Sequence, residues 1–212
     1  NIEDLIKYEK NKLDAVIVLT PTDQHHQQIV KLLENNFAII CEKALACSLE
    51  ELQIIDESIS KNNGYLAVIY NYLGYPMVRE LKHMVKKGSL GRINQIQIEM
   101  PMDPFARVSG VDGSPIKPQN WRLEDKHLPT ISLDLGVHLH MLVYYLTGEI
   151  PLKVISKYDS YGNFPNVVDN INCLIEYSNS VTCNMWYSKV AIGYRNGLKV
   201  RVFGDKGSAL WY

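Results

Sequence analysis

From residue 13 the chain alternates short apolar runs with longer amphipathic ones. "LDAVIVLT" (13–20) is apolar and rich in β-branched residues, which predicts a buried strand. "PTDQHHQQIVKLLENNF" has helical periodicity; Thr20 or Thr22 is placed to cap it, and Pro21 suits a first turn, where its missing N–H has no helical partner. "AIIC" (38–41) and "YLAVIY" (65–70) read as further strands. Between them "SLEELQIIDESISKNNG" opens with a Ser48–Glu51 capping box and stops at Gly64. Strands and helices alternating through short links predict parallel crossovers, one part of a doubly wound sheet.

After Asn71 the pattern changes. "PMVRELKHMVKKG" predicts a helix closed by Gly88, and "GRINQIQIEM" a strand. Residues 101–130 contain five prolines and no clear period, and a loop that long is usually functional or disordered. "DLGVHLHMLVYYLTG" (134–148) predicts one helix stopped by Gly148. "DNINCLIEY", "VTCNMWYSKV", "GLKVRVFG" and "SALWY" predict antiparallel hairpin strands around "SNS" and "DKG". The expected fold class is therefore α/β: a partial Rossmann-like parallel sheet over 1–70, followed over 71–212 by an α+β substrate-binding and oligomerisation domain with a mostly antiparallel sheet.

Composition narrows the function classes. With 46% hydrophobic and 21% charged residues the chain has the profile of a globular domain. A net charge of −1 without a basic run argues against nucleic acid as a partner. No run is long enough for a membrane span, and no signal peptide is visible. Cys41, Cys47, Cys173 and Cys183 lack CxxC spacing, so buried thiols in a reducing cytoplasm are expected. The chain begins with Asn1, and "VRVFGDKGSALWY" looks like a hairpin cut off in its second strand, so a fragment is expected.

Two places carry candidate chemistry. At 100° per residue, Ile131, Leu135, Leu139, Leu142 and Leu146 share one sector of the 131–147 helix, the expected core face. Asp134 and His138 adjoin each other at its edge, whereas His140 points away toward the surface or an interface. The pair suits a cleft where a carboxylate orients an imidazole or holds a substrate hydroxyl; the spacing equally suits an ordinary i,i+4 hydrogen-bonded pair. Divergence of the two histidines disfavours a zinc site using both, and no metal is expected. Glu42 and Lys43 directly follow a strand, where open parallel sheets bind ligands, although a lysine there can also be simply solvated. In "PQNWRLED", Arg122 suits a substrate carboxylate or phosphate, and Trp121 suits stacking or anchoring the loop.

In order and spacing these motifs resemble the Gfo/Idh/MocA oxidoreductase family. Its T-P-N-x-x-H is matched by Thr20, Pro21 and His25, its E-K-P by Glu42 and Lys43, and its D-x-G-x-H by Asp134, Gly136 and His138. "VIYNY" resembles the strand leaving the family's nucleotide domain, with Asn71 in its Y-N pair. Thr22, Ala44, Leu73 and Met141 depart from the pattern. The family's G-x-G-x-x-G loop is absent, so binding of NAD or NADP by these residues alone is expected to be weak or absent.

The resemblance implies hydride transfer between NAD(P) and a secondary hydroxyl or ketone of a sugar, nucleotide sugar or cyclitol. Thr20, Pro21, His25, Glu42, Lys43 and Asn71 would bind cofactor; Trp121, Arg122 and Asp134 would bind substrate. His138 would act as general base, Lys43 would stabilise negative charge on the same oxygen, and Asp134 would fix the sugar or the imidazole. The alternatives are an inactive sugar- or nucleotide-binding homologue, and a hydrolase or lyase of the NAD-dependent glycosidase type. Met185, Trp186 and Tyr187 are successive, which suggests two apolar sheet faces, one of them meeting a second subunit in a homo-oligomer.

Overall fold

The structure is a computed structural model that describes residues 1–10 and 12–212. The chain divides into two compact units, one of residues 1–70 with 126–128, the other of residues 71–125 with 129–212.

The first unit holds a parallel sheet of β1 (Val16–Val18), β2 (Ile39–Glu42) and β3 (Leu66–Ile69), in that order. Helix α2 (His25–Glu34) connects β1 to β2, and α3 (Leu49–Asn62) connects β2 to β3. Ile29, Leu32 and Leu33 of α2, Ile39 and Cys41 of β2 and Ile55 of α3 form the core. Ser48 Oγ accepts from the Glu51 N–H at 3.2 Å, as the capping box requires; the Glu51 carboxylate reaches the Cys47 N–H, at 2.7 Å. Asn63 takes the left-handed conformation that ends α3 (φ 47°), one residue before the expected Gly64.

Three details differ from the sequence expectation. Residues 22–24 form a 3₁₀ turn, and neither it nor α2 has a side-chain cap; Thr20 Oγ1 instead contacts Gln28 Oε1 at 3.1 Å. β1 is an edge strand rather than a buried one: Val18 is buried, but Ile17 is 58% exposed. Helix α1 (Ile2–Glu9) had no counterpart in the expected elements. It is capped by Asn1 Oδ1, which accepts from the Asp4 N–H, and Ile2, Leu5 and Ile6 pack on the core of this unit.

The second unit is a six-stranded sheet with helices on one face. Its elements are α4 (Pro76–Lys86), β4 (Ile93–Pro101), α5 (Val137–Thr147), β5 (Pro151–Asp159), β6 (Asn170–Tyr177), β7 (Thr182–Ser188), β8 (Lys199–Gly204) and β9 (Ser208–Trp211). The strand order is β5-β6-β7-β4-β8-β9, antiparallel throughout except for the central β4–β7 pair. Alternation sends Ile96, Ile98 and Met100 of β4, with Cys183, Met185 and Tyr187 of β7, onto the helix side. Leu139, Leu142, Val143 and Leu146 of α5 and Val78 and Leu81 of α4 complete this core. Each such side chain stabilises the fold by about 1.5–3 kcal/mol through burial.

The opposite face is mixed rather than apolar. One row across it reads Ile155, Leu174, Asn184, Gln97, Arg201, Leu210, and the next includes Lys157, Asn172, Trp186, Glu99 and Lys199. Trp186, expected to make this face apolar, donates Nε1–H to Asn170 Oδ1 at 2.9 Å, and Lys199 pairs with Glu99. Strand β5 was absent from the expected elements; it lies at the sheet edge, nearly every residue exposed.

All four cysteines are free. Burial pushes the Cys41 and Cys183 thiols up to about 12, leaving almost no thiolate at pH 8. In the native chain these two should react with a disulfide reagent far more slowly than after unfolding in urea; equal rates would contradict their burial. Leu139 is fully buried, so Leu139→Ala should lower unfolding free energy by about 2–5 kcal/mol in urea titration.

Candidate active site

The segment entering α5 carries most of the candidate chemistry. It is not one uniform α-helix: residues Ser132–Gly136 form a π turn with i→i+5 bonding, and α5 proper starts at Val137. A layout at 100° per residue therefore fails across the turn, although Ile131, Leu135, Leu139, Leu142 and Leu146 are all buried as expected. Gly136 lies against Tyr187: a Cβ there would sit 3.1 Å from the tyrosine ring and hydroxyl. That closeness lets Tyr187 reach Ser132, with Tyr187 Oη and Ser132 Oγ 3.1 Å apart. Burial pushes the Tyr187 hydroxyl up to about 12, so it stays neutral.

Asp134, inside the π turn, is held by two cations. Its Oδ2 accepts from Arg122 Nε at 3.0 Å and lies 3.0 Å from Lys189 Nζ; Arg122 Nη2 stands 3.5 Å from Oδ1. The side chain of Lys189 is only 2% exposed and that of Asp134 12%, so the pair is screened little by water. Lys189 Nζ also stands 4.7 Å from the centre of the Phe105 ring, and the Arg122 guanidinium lies over Trp121 at 4.2 Å. The loop before the turn is tied down rather than disordered. Asp125 accepts from the N–H groups of Thr130 and Val168, and Thr130 Oγ1 donates to the Glu124 carbonyl.

Sequence reasoning had singled out Trp121, Arg122 and Asp134, and the structure brings them together. It did not foresee that Arg122 would be directed at Asp134, and it missed Lys189. The only available signal was a lysine in "WYSKV" at the end of a core strand, a position that ordinarily reads as solvated.

His138 is 8% exposed, and its ring meets Tyr72 edge-on with centroids 4.9 Å apart. Asn196 Nδ2 donates to the Tyr72 hydroxyl at 3.0 Å, which fixes that tyrosine from the other side. His140 is exposed, as the spacing implied, with Nδ1 3.0 Å from the hydroxyl of the buried Tyr177.

In the first unit, Glu42 and Lys43 follow β2, both partly exposed, and the Lys43 N–H donates to Glu42 Oε2 at 3.2 Å. The Lys43–Ala44 peptide is cis. Thr20 and Pro21 follow β1, one partly and one fully exposed, and Asn71 is exposed after β3. His25 is fully buried, with Nδ1 2.8 Å from the Ala44 carbonyl and Nε2 2.7 Å from the Thr20 carbonyl. It therefore has no exposed atom to offer a cofactor, and any part it takes in binding runs through the main chain it holds.

The fold and these motifs point to one family of proteins. The NAD-binding Rossmann-fold oxidoreductase model matches residues 1–70, and the GFO/IDH/MocA C-terminal domain model matches residues 78–210. The chain belongs to the Gfo/Idh/MocA family. It is 25% identical over 204 residues to the uncharacterized oxidoreductase YfiI of Bacillus subtilis, covering 94% of this chain and 51% of that protein. It is 25% identical over 201 residues to the scyllo-inositol 2-dehydrogenase (NAD(+)) of the same organism, covering 92% and 54%. An inositol dehydrogenase homologue from Azotobacter vinelandii, solved with NADH and myo-inositol, superposes with a TM-score of 0.88 at 24% identity, over 100% of this chain and 55% of that one. The chain thus spans about half the length of these relatives.

Asp134→Ala strips a carboxylate from the buried Lys189 and from Arg122 together, and should cost on the order of 3–5 kcal/mol in unfolding free energy. Arg122→Ala leaves the Lys189–Asp134 pair in place and should cost nearer 1.5 kcal/mol, about one charged hydrogen bond. Equal losses in urea titration would show that Lys189 does not depend on Asp134.

Proposed function

We propose that the protein carrying this chain is an NAD(P)-dependent dehydrogenase or reductase of a secondary hydroxyl or ketone on a sugar, nucleotide sugar or cyclitol. The observation that carries this reading is the D-x-G-x-H turn, with Asp134 held by Lys189 and Arg122 and with His138 one turn further on. The names of the relatives support the same class of substrate: one is a scyllo-inositol 2-dehydrogenase, and an inositol dehydrogenase homologue of similar fold was solved with NADH and myo-inositol.

NAD(P), when bound, supplies the hydride acceptor. The protein's own residues handle the proton and the charge. His138 takes the hydroxyl proton, since a neutral imidazole is a base near neutral pH. Lys43 stabilises negative charge as it develops on the substrate oxygen. Asp134, held in place by two cations, offers carboxylate oxygens as acceptors for a neighbouring substrate hydroxyl. Arg122 and Trp121 keep that carboxylate oriented from the loop side. Thr20, Pro21, Glu42, Lys43 and Asn71 serve the cofactor, with His25 acting behind them. Hydroxyls on a rigid ring suit this arrangement, because fixing two reactants in one geometry lowers the barrier by several kcal/mol.

The same reading assigns the protein to the cytoplasm and to a homo-oligomer formed through the sheet face opposite α5. Ile155 (75% exposed), Leu174 and Leu210 give that face its apolar share beside Trp186.

The test is absorbance at 340 nm with the full-length protein, each cofactor and a panel of sugars and cyclitols. His138→Ala should lower kcat by about 10²-fold or more with little change in cofactor affinity, and Lys43→Ala should be comparably impaired. His140→Ala should turn over nearly normally. Impairment of the His140 variant with normal turnover by His138→Ala would sink the assignment. Cofactor and sugar binding without turnover anywhere on the panel would favour a binding homologue.

A further inference from the structure

The buried ring of His25 lies between two main-chain carbonyls, and hydrogen-bond arithmetic there is restrictive. Carbonyl oxygens only accept. The Ala44 carbonyl is 2.8 Å from Nδ1 and the Thr20 carbonyl 2.7 Å from Nε2, both within hydrogen-bond distance. A neutral imidazole has one N–H, so either tautomer would press a bare nitrogen lone pair against a carbonyl oxygen. The ring is fully buried, so water cannot relieve that contact, and an unpaired polar group at such a site costs about 1–3 kcal/mol.

The two carbonyls belong to the segments that matter here. Thr20 lies just beyond β1, and Ala44 directly follows Lys43 beyond β2. Sitting at the start of α2, His25 ties both strand-end segments to one helix. The Thr20 segment is held a second time through Thr20 Oγ1 and Gln28 Oε1, one helical turn along.

We infer that His25 is a positioning residue: its buried ring, within hydrogen-bond distance of the Thr20 and Ala44 carbonyls, sets where Lys43 stands at the end of β2. Ionisable groups near His25 in sequence or on the adjoining segments of this unit include Asp23 and His26, Cys41, Glu42 and Lys43 at the end of β2, Cys47 and Glu51 at the start of α3, and Lys126. Of these, Glu51 is already engaged, 3.2 Å from His26 Nδ1 and bonded to the Cys47 N–H. His26 must therefore be distinguished from His25 in any measurement. The role of Lys43 rests on the dehydrogenase reading; the bridging by His25 does not.

The test uses the chain with ¹⁵N-labelled histidine and ¹³C-labelled main chain, near neutral pH, without cofactor or substrate. The His25 signal is assigned by its loss in His25→Asn or, if that variant does not fold, by replacing the other five histidines in turn. A coupling across a hydrogen bond from a His25 ring nitrogen to the Thr20 or Ala44 carbonyl carbon is expected. No coupling to either carbonyl carbon would overturn the inference. Positioning is read separately, from competitive acylation of lysines followed by mass spectrometry in His25→Asn and His25→Gln. Lys43 reactivity relative to Lys61 on α3 should change several-fold in whichever variant folds, and an unchanged ratio would overturn the positioning role. Neither readout needs turnover, so failure here leaves the dehydrogenase reading standing, and a lack of turnover leaves the His25 clasp standing.

Discussion

The second unit depends on one packing interaction, the laying of α5 along the helix-side face of the six-stranded sheet. Leu139, Leu142, Val143 and Leu146 have essentially no freedom to move, because the residues opposite them on β4 and β7 are equally buried. A helix pinned along its length also pins its first turn. Asp134 and His138 inherit that rigidity, and Gly136 brings the turn against Tyr187 more closely than a side chain would allow. Chemistry that depends on placing a carboxylate and an imidazole within fractions of an ångström needs such a support.

The π turn lets the helix begin with an extra residue without losing its core face. Such insertions recur at functional sites because they re-aim one side chain while the flanking helix stays packed. Here the residue in the turn is Asp134, and it meets Arg122 from the preceding loop and Lys189 from the end of β7. Burying the Lys189 ammonium against one carboxylate is costly unless the geometry is good. The return is a negative charge of fixed orientation.

Much of this was legible in the sequence where burial leaves a period. The β-branched runs at 16–18, 39–42 and 66–69 and the leucine spacing of α5 are patterns that only packing against a core produces. Strand β5 left no such trace. In "PLKVISKYD" neither face is buried, so charged and apolar residues mix freely. The π turn was hidden as well, since i→i+5 bonding changes the angle between side chains without changing their types. Lys189 was missed because its partners Asp134 and Phe105 are distant in sequence, and His25 was recognised as a motif residue although its hydrogen-bond partners are main-chain carbonyls. Residues whose role comes from long-range polar partners are those a local reading does not find.

The account's central claim is net redox chemistry at a secondary alcohol. The most direct measurement follows the carbon-bound hydrogen: a cyclitol or sugar deuterated at the reacting carbon is incubated with the full-length protein and oxidised cofactor, and both products are analysed by NMR. The account predicts that deuterium accumulates in the reduced nicotinamide in step with ketone formation, one for one. Deuterium returning to the sugar without accumulation of ketone would mean that hydride transfer only serves another reaction. Cleavage or rearrangement of the substrate with all deuterium retained would contradict the account outright.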